Sequence, residues 1–402
     1  MSTSRMMAWL IWLLASMFYA YQYILRVMPN IMLIDIMQQF NIDAAVFGQF
    51  SGIYYIGYSL MHLPIGIMLD RHGPKKVMTG CILLTVIGLS PIIFADQWIY
   101  PLLGRFLIGI GSSAAILSTF KIIRMTFSEK LFPRMLSISV TIGLIGAIYG
   151  GGPVNYLADL FGYKVVVQIV AIMGLLLAMI TYVIVPEISS NHKGTMFADI
   201  KTVFTNKSVV LLCLFSGLMV GPLEGFADVW GSAFFTQVYG FDGKMASYLP
   251  SMIFIGMCFG SPILNFIAEK THNYLAVVVG SGIVMAIIFM LLVTQLLTQH
   301  SITISFILVG VCCAYQILAI YKASTYVPEH VTGLTTAVAN MIIMLFGYIF
   351  HTIIGLTINL FGGIKSSTAF IYGVGLIPIA LCIGVSGFAF LVYQEKKFSF
   401  SK

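Results

Sequence analysis

The sequence predicts an all-α polytopic membrane protein of twelve spans, arranged as two six-helix halves. Three observations carry that prediction. Of 402 residues, 59% are hydrophobic and only 9% are charged, whereas soluble domains carry about a quarter charged residues. Apolar runs of about 20 residues, long enough as helices to cross a hydrocarbon core roughly 30 Å thick, recur along the whole chain. The widest polar gap lies near the middle, from Glu187 to Lys207, and contains Ser189, Ser190, Asn191 and Lys193.

The first run, read as 8–34, follows Arg5 and continues past Tyr23 without a small-residue cleavage signal, so it is expected to be an uncleaved span. Spans 45–68 and 76–95 are separated by a loop bearing Arg71, Lys75 and Lys76. Span 99–123 ends at Arg124, span 136–158 opens after Lys130 and Arg134, and span 165–186 follows Lys164. After Lys207 come 208–239, 246–268, 274–297, 302–325, 334–358 and 367–393, with Lys244, Lys270, Lys322, Lys365, Lys396 and Lys397 at their ends. The expected division is a first bundle over 1–186, a linker over 187–207 and a second bundle over 208–402. Placing the N-terminus inside puts 16 Lys and Arg residues in cytoplasmic loops and only Lys164, Lys244 and Lys365 outside. Both termini are therefore expected to be cytoplasmic.

The net charge of +7 is spread over short loops rather than one basic face, so nucleic acid is not an expected partner. Six cysteines, Cys81, Cys213, Cys258, Cys312, Cys313 and Cys382, all fall in apolar segments without a CxxC, and are expected to be inert packing residues. No HExxH or GxSxG pattern occurs. The chain is expected to be no enzyme, to bind no metal and to need no cofactor.

Shifting the chain by 201 residues lays Gly109 to Lys121 (GIGSSAAILSTFK) on Gly310 to Lys322 (GVCCAYQILAIYK) without a gap. Glycine, isoleucine, leucine and lysine coincide at 109/310, 116/317, 117/318 and 121/322. Repeated halves of this kind hold a substrate site near the membrane midplane.

Between spans two and three lies Gly66-Ile-Met-Leu-Asp70-Arg71-His72-Gly73-Pro74-Lys75-Lys76. It resembles the G-x-x-x-D-R-x-G-x-(R/K)-(R/K) loop of the major facilitator superfamily, which implies a fold of two pseudo-symmetric six-helix bundles and a cytoplasmic gate built on this loop. Gly66 is expected to permit close helix approach, Asp70 to cap or pair, and Gly73 to form a tight turn. The second-half loop, Asn265 to Asn273, keeps Glu269-Lys270 but lacks the glycines. Arg105-x-x-x-Gly109-x-Gly111 resembles the family's span-four pattern, whereas Gly146 to Pro153 (GAIYGGGP) departs from the G-P-x-x-G-G order of drug antiporters.

Tyr23-Ile-Leu-Arg26-Val-Met-Pro-Asn, Phe47-Gly48, Tyr54 and Tyr58 resemble the organic-anion symporter branch, and more so the nutrient transporters of bacteria living in host vacuoles. Gly221-Pro-Leu-Glu224-Gly-Phe-Ala-Asp228-Val-Trp230-Gly and Gly260-Ser-Pro262 resemble the latter group too. That likeness implies a bacterial inner membrane. Leu25 and Ser112 stand where anion symporters carry acids, so their proton network does not transfer.

A charge at a helix centre costs about 2.5–3.5 kcal/mol on insertion scales, so an intramembrane charge must face a partner, water or substrate. Four qualify: Arg26, Arg105, Glu224 and Asp228. Arg26 is expected to bind a carboxylate in bidentate fashion. Arg105 either contacts substrate or braces span one. Glu224 and Asp228, four apart on one helical face, are the expected proton or ammonium groups, meeting the arginines across one cavity. Tyr54, Tyr55 and Tyr58, with Tyr21 and Gln22, are candidate lining residues; so are Asn340 and His351, eleven apart on one face of span eleven. His62 is expected to be a buried hydrogen-bonding histidine, and Trp230 a packing residue. The expected function is proton-coupled import of a small carboxylate-bearing metabolite, an amino acid foremost, by a monomer in the bilayer driven by the proton gradient. The alternatives are an organic acid, a nucleoside or an iron chelate, and behind them drug antiport.

Overall fold

The computed structural model describes residues 5–187, 196–328 and 331–399; Ser189, Ser190, Asn191, Lys193 and Lys402 lie outside them. Among the described residues there is no strand, and eleven helices are long and apolar enough to cross a membrane. One of the eleven, Ala44–Phe94, has 51 residues. At about 1.5 Å per residue it would be more than twice the hydrocarbon thickness. It is two spans joined at Gly73, where φ is 76° and ψ 167°, a backbone conformation that glycine tolerates and L side chains do not. Twelve crossings result, as expected.

The chain divides into two compact units, Met1–Ile42 with Phe50–Lys193, and Asp43–Gln49 with Gly194–Lys402. In the first unit α1 (Arg5–Val27) leads into the short amphipathic helix α2 (Leu33–Phe40) and then α3 (Ala44–Phe94). Span one therefore ends earlier than hydropathy alone indicates, because Pro29 has no N–H to continue the helix and a single 3₁₀ turn, Met28–Asn30, takes over. Span four is α4 (Ile99–Ser112) plus α5 (Ala114–Thr126), broken at Ser113, whose hydroxyl bonds back to the Ile110 carbonyl at 2.7 Å. Span five is α6 (Phe132–Gly150) plus α7 (Gly152–Phe161), interrupted in the Gly-Gly-Gly-Pro run at Gly151. Span six is α8 (Tyr163–Ile184). The α1 and α6 pair is held by close approach of Gly146 to the Ala20 backbone and by Trp12 Nε1–H donating to Ser139 Oγ at 2.8 Å.

The second unit runs through α9 (Met196–Thr205), α10 (Lys207–Leu218), a π-helical stretch (Gly221–Trp230), α11 (Gly231–Val238) and α12 (Gly243–Tyr248). It continues with α13 (Ser251–Thr271), α14 (Tyr274–Val293), α15 (Gln299–Cys313), α16 (Tyr315–Ser324), α17 (Thr332–Leu360) and α18 (Ser367–Ser399). The start of α3 clusters with this unit: a Cβ on Gly48 would strike the His351 carbonyl, Phe47 meets Trp230 edge-on at 5.9 Å, and Asn359 donates to Asp43 Oδ2 at 3.1 Å.

The internal repeat appears as repeated geometry. Span four breaks at Ser113 and span ten at Ala314, 201 residues apart. In the first unit, Cβ atoms on Gly57 and Gly109 would strike the carbonyls of Phe106 and Tyr54; in the second, those on Gly256 and Gly310 would strike Ile307 and Ile253. The same reciprocal glycine crossing thus joins spans two and four, and spans eight and ten. A backbone in contact cannot yield as a flexible side chain can. Gly109→Leu and Gly310→Leu should each cost about 1–3 kcal/mol, whereas a Cβ at Gly66 meets nothing within 4 Å. Thermal unfolding in detergent should show a lowered Tm for the two leucine variants and none for Gly66→Ala; an unchanged Tm for Gly109→Leu would refute the crossing.

Candidate functional site

In the first unit the site begins with a missing donor. An α-helical carbonyl accepts from the N–H four residues on, and for Leu25 that residue is Pro29, which has none. Arg105, only 1% exposed, supplies the bond: Nη1–H donates to the Leu25 carbonyl at 2.5 Å and Nη2–H to the Arg26 carbonyl at 3.0 Å. Its guanidinium also lies over the Tyr54 ring, 4.7 Å from the centroid. Of the two roles open for Arg105, the geometry favours the brace. Because Arg105 grips its backbone, Arg26 is held at the end of α1. Arg26 is buried, with its guanidinium 5.2 Å from the Tyr23 ring and 5.4 Å from the Tyr55 ring. These aromatic faces stabilise a cation without neutralising it.

Along α3, residues four apart form a ladder. Gln22 Nε2–H donates to Tyr54 Oη at 3.0 Å, Tyr54 stacks on Tyr58 with centroids 6.1 Å apart, and Tyr58 lies 5.3 Å from His62. His62 is buried as expected, but its Nδ1 has no hydrogen-bond partner among the described residues. Tyr21 departs from the lining set: its hydroxyl donates to the Val170 carbonyl at 3.1 Å and packs on Gly174 of α8. Neighbouring residues on a helix are about 100° apart, which turns Tyr21 toward α8 and Gln22 toward α3.

The loop between spans two and three is tied down by pairs inside the first unit. Asp70 Oδ1 accepts from Lys121 Nζ at 2.8 Å, Lys75 lies over the Tyr182 ring at 4.7 Å, and Lys76 pairs with Glu187. The hydrogen bond from the Lys76 ammonium, and then its charge, holds the Glu187 carboxyl below its usual pKa. Arg71 is exposed. Gly73 makes the expected turn; Gly66, with open space around it, is not a close-approach glycine. In the second unit Thr271 stands 201 residues after Asp70, and Lys322, the repeat partner of Lys121, turns instead to Glu395 of α18 at 2.8 Å. Tyr326 donates to the same carboxylate at 2.7 Å.

The second unit's two candidate acids, Glu224 and Asp228, sit on the π-helical stretch, all ten residues of which are buried. Glu224 is 1% exposed and Asp228 fully buried. His351 on α17, also fully buried, places Nε2 2.5 Å from the Glu224 carbonyl. A carbonyl only accepts, so Nε2 carries the proton. His351 thus grips the backbone of an acid. Asn340 is half-buried on α17, and at about 1.5 Å per residue it lies roughly 16 Å from His351 along the axis. The two share a face but are too far apart to hold one small metabolite. Trp230 is fully buried between Phe47 and Phe370, a packing role. All six cysteines are free; four are buried, Cys258 is half-buried, and Cys382 is exposed rather than packed.

A multi-span helical protein with duplicated halves and buried charges in both is the architecture of a membrane transporter. The model of the Major Facilitator Superfamily matches residues 11–351, and the chain belongs to that family. It is 23% identical over 334 residues to the chloramphenicol resistance protein CraA of Acinetobacter baumannii, covering 78% of this chain and 77% of that one. It is 23% identical over 221 residues to the nitrite extrusion protein of Bacillus subtilis, covering 53% of each. Among solved structures, a bacterial homolog of the human lysosomal transporter Spinster matches with a TM-score of 0.76 at 17% identity over 96% and 97% of the two chains. The nucleoside transporter NupG matches at 0.73, with 16% identity over 94% and 99%. At such identities the structures attest the fold.

The brace yields a sharp expectation. Arg105→Ala strands the buried Leu25 carbonyl, at a cost of about 1–3 kcal/mol, so the protein should lose at least about that much stability. Arg105→Lys should recover only part, because an ammonium lacks the planar fork. Equal Tm values for Arg105→Ala and wild type would remove the brace.

Proposed function

We propose that the protein imports a small carboxylate-bearing metabolite, an amino acid foremost, together with protons. The observation that carries this reading is Arg26: a buried guanidinium, gripped through its backbone by Arg105 and faced by Tyr23 and Tyr55. A guanidinium offers paired donors that match a carboxylate. On the same reading Glu224 or Asp228 takes the proton or faces the ammonium of a zwitterion, since both are acids buried on one stretch of span seven. The arrangement of basic loops supports cytoplasmic termini in a bacterial inner membrane. The proton gradient is the energy source, and the working unit is a monomer.

A nucleoside is the second reading. The ladder of Tyr54, Tyr58 and His62 favours it, since stacked rings suit a planar base, and one solved structure of the same fold is named a nucleoside transporter. A neutral nucleoside, however, has no use for Arg26. Drug antiport is disfavoured by the glycine order of Gly146 to Pro153, although a relative at 23% identity is named for chloramphenicol resistance.

Replacing Arg26 by Ala should weaken carboxylate uptake by at least about 30-fold, the effect of losing roughly 2 kcal/mol or more from a buried charged pair, in protein that still inserts. Undiminished uptake refutes the assignment. Glu224→Gln should abolish accumulation driven by a pH gradient in proteoliposomes while counterflow exchange persists; retained pH-driven accumulation moves the proton to Asp228.

A further inference from the structure

Ten consecutive π-helical residues are unusual, because the wider ring is poorly packed and π-helix normally occurs as single-turn bulges at functional sites. Something must hold the stretch in that register. At its start the bonding is still α-helical, with Glu224 N–H donating to the Val220 carbonyl at 2.9 Å. At its end the Gly231 N–H reaches back five residues to Phe226. Between these points the Glu224 carbonyl receives the Nε2–H of His351 from α17. Gly221 and Gly225 let the stretch approach Phe350 on the same helix; a Cβ on Gly225 would lie 3.1 Å from Phe350 Cβ.

We infer that His351 is a positioning residue that keeps Gly221–Trp230 in the π register and so sets the direction of the Asp228 side chain relative to Glu224. In an α register the Glu224 carbonyl would be satisfied by the Asp228 N–H, and the residues beyond would slip by one. With 3.6 residues per turn, one residue is a rotation of about 100° and a rise of about 1.5 Å. That displacement carries a carboxylate from one face of the helix to another. Both registers satisfy the backbone within the membrane, which makes the stretch a two-state element biased by one external hydrogen bond. His351 therefore acts through the backbone of Glu224 rather than as a substrate contact. The inference rests on the proposed role of Glu224 and Asp228 in proton handling for its effect on transport, but not for its effect on the helix.

The test uses the full chain with His351→Phe, which keeps a ring and loses the donor, and His351→Gln, which restores an N–H. Amide hydrogen exchange over residues 221–231, read by mass spectrometry, should be at least tenfold faster in His351→Phe than in wild type, and within threefold of wild type in His351→Gln. Turnover should fall at least tenfold in His351→Phe with KM within twofold, and recover in His351→Gln. Unchanged exchange in His351→Phe overturns the inference, and so does a His351→Gln variant as damaged as His351→Phe, since the ring would then serve only as packing. Faster exchange in His351→Phe with unchanged turnover upholds the positioning role and overturns the proton assignment of Glu224 and Asp228 instead.

Discussion

Leu25 needs a hydrogen bond that Pro29 cannot give, and Arg105 gives it. Inside a bilayer no water is present to satisfy a stray carbonyl, so an interruption in a span must be answered by another span. That single constraint accounts for why a buried arginine in span four is tolerated and for how the end of span one, with Arg26 on it, is fixed. The same logic recurs in the second unit, where His351 of α17 answers the Glu224 carbonyl on the π-helical stretch. Arg26 and Glu224 each sit on backbone that another helix grips.

Glycine supplies the complementary constraint. Hydrophobicity cannot drive helices together in lipid, so contact area must come from close backbone approach. The reciprocal pairs Gly57 with Gly109 and Gly256 with Gly310 show this solution used twice, with equivalent partners in the two halves. The broken spans at Ser113 and Ala314 repeat with it, so the duplication extends to the irregularities. One difference between the halves lies in charge: Lys121 finds Asp70 in the loop between spans two and three, whereas Lys322, with Thr271 at the place equivalent to Asp70, takes Glu395 from α18.

Much of this was legible in the sequence because lipid imposes a length and a polarity on every span. All twelve crossings follow from apolar runs, and Arg26, Arg105, Glu224 and Asp228 stand out as charges where charge is costly. The interruptions were harder to read. Hydropathy is blind to backbone bonding, so the early end of α1 and the π-helical stretch left only indirect marks, Pro29 and the glycines at 221, 225 and 231. The choice between brace and ligand for Arg105 depended on where its fork points, and the turning of Tyr21 toward α8 depended on helix rotation. The assignment of Asp43–Gln49 to the second unit had no signal at all, because packing at Gly48 and Gly355 involves partners more than 300 residues apart.

The central claim is that Arg26 makes the protein a carboxylate reader. Thermal unfolding of the purified protein with paired ligands tests it directly: amino acids and organic acids against their uncharged amides or alcohols, with nucleosides alongside. A carboxylate ligand at 100 times its Kd should stabilise the fold by about 2.7 kcal/mol, while its neutral analogue has no effect. Equal stabilisation by the neutral analogue, or by nucleosides alone, would contradict the account.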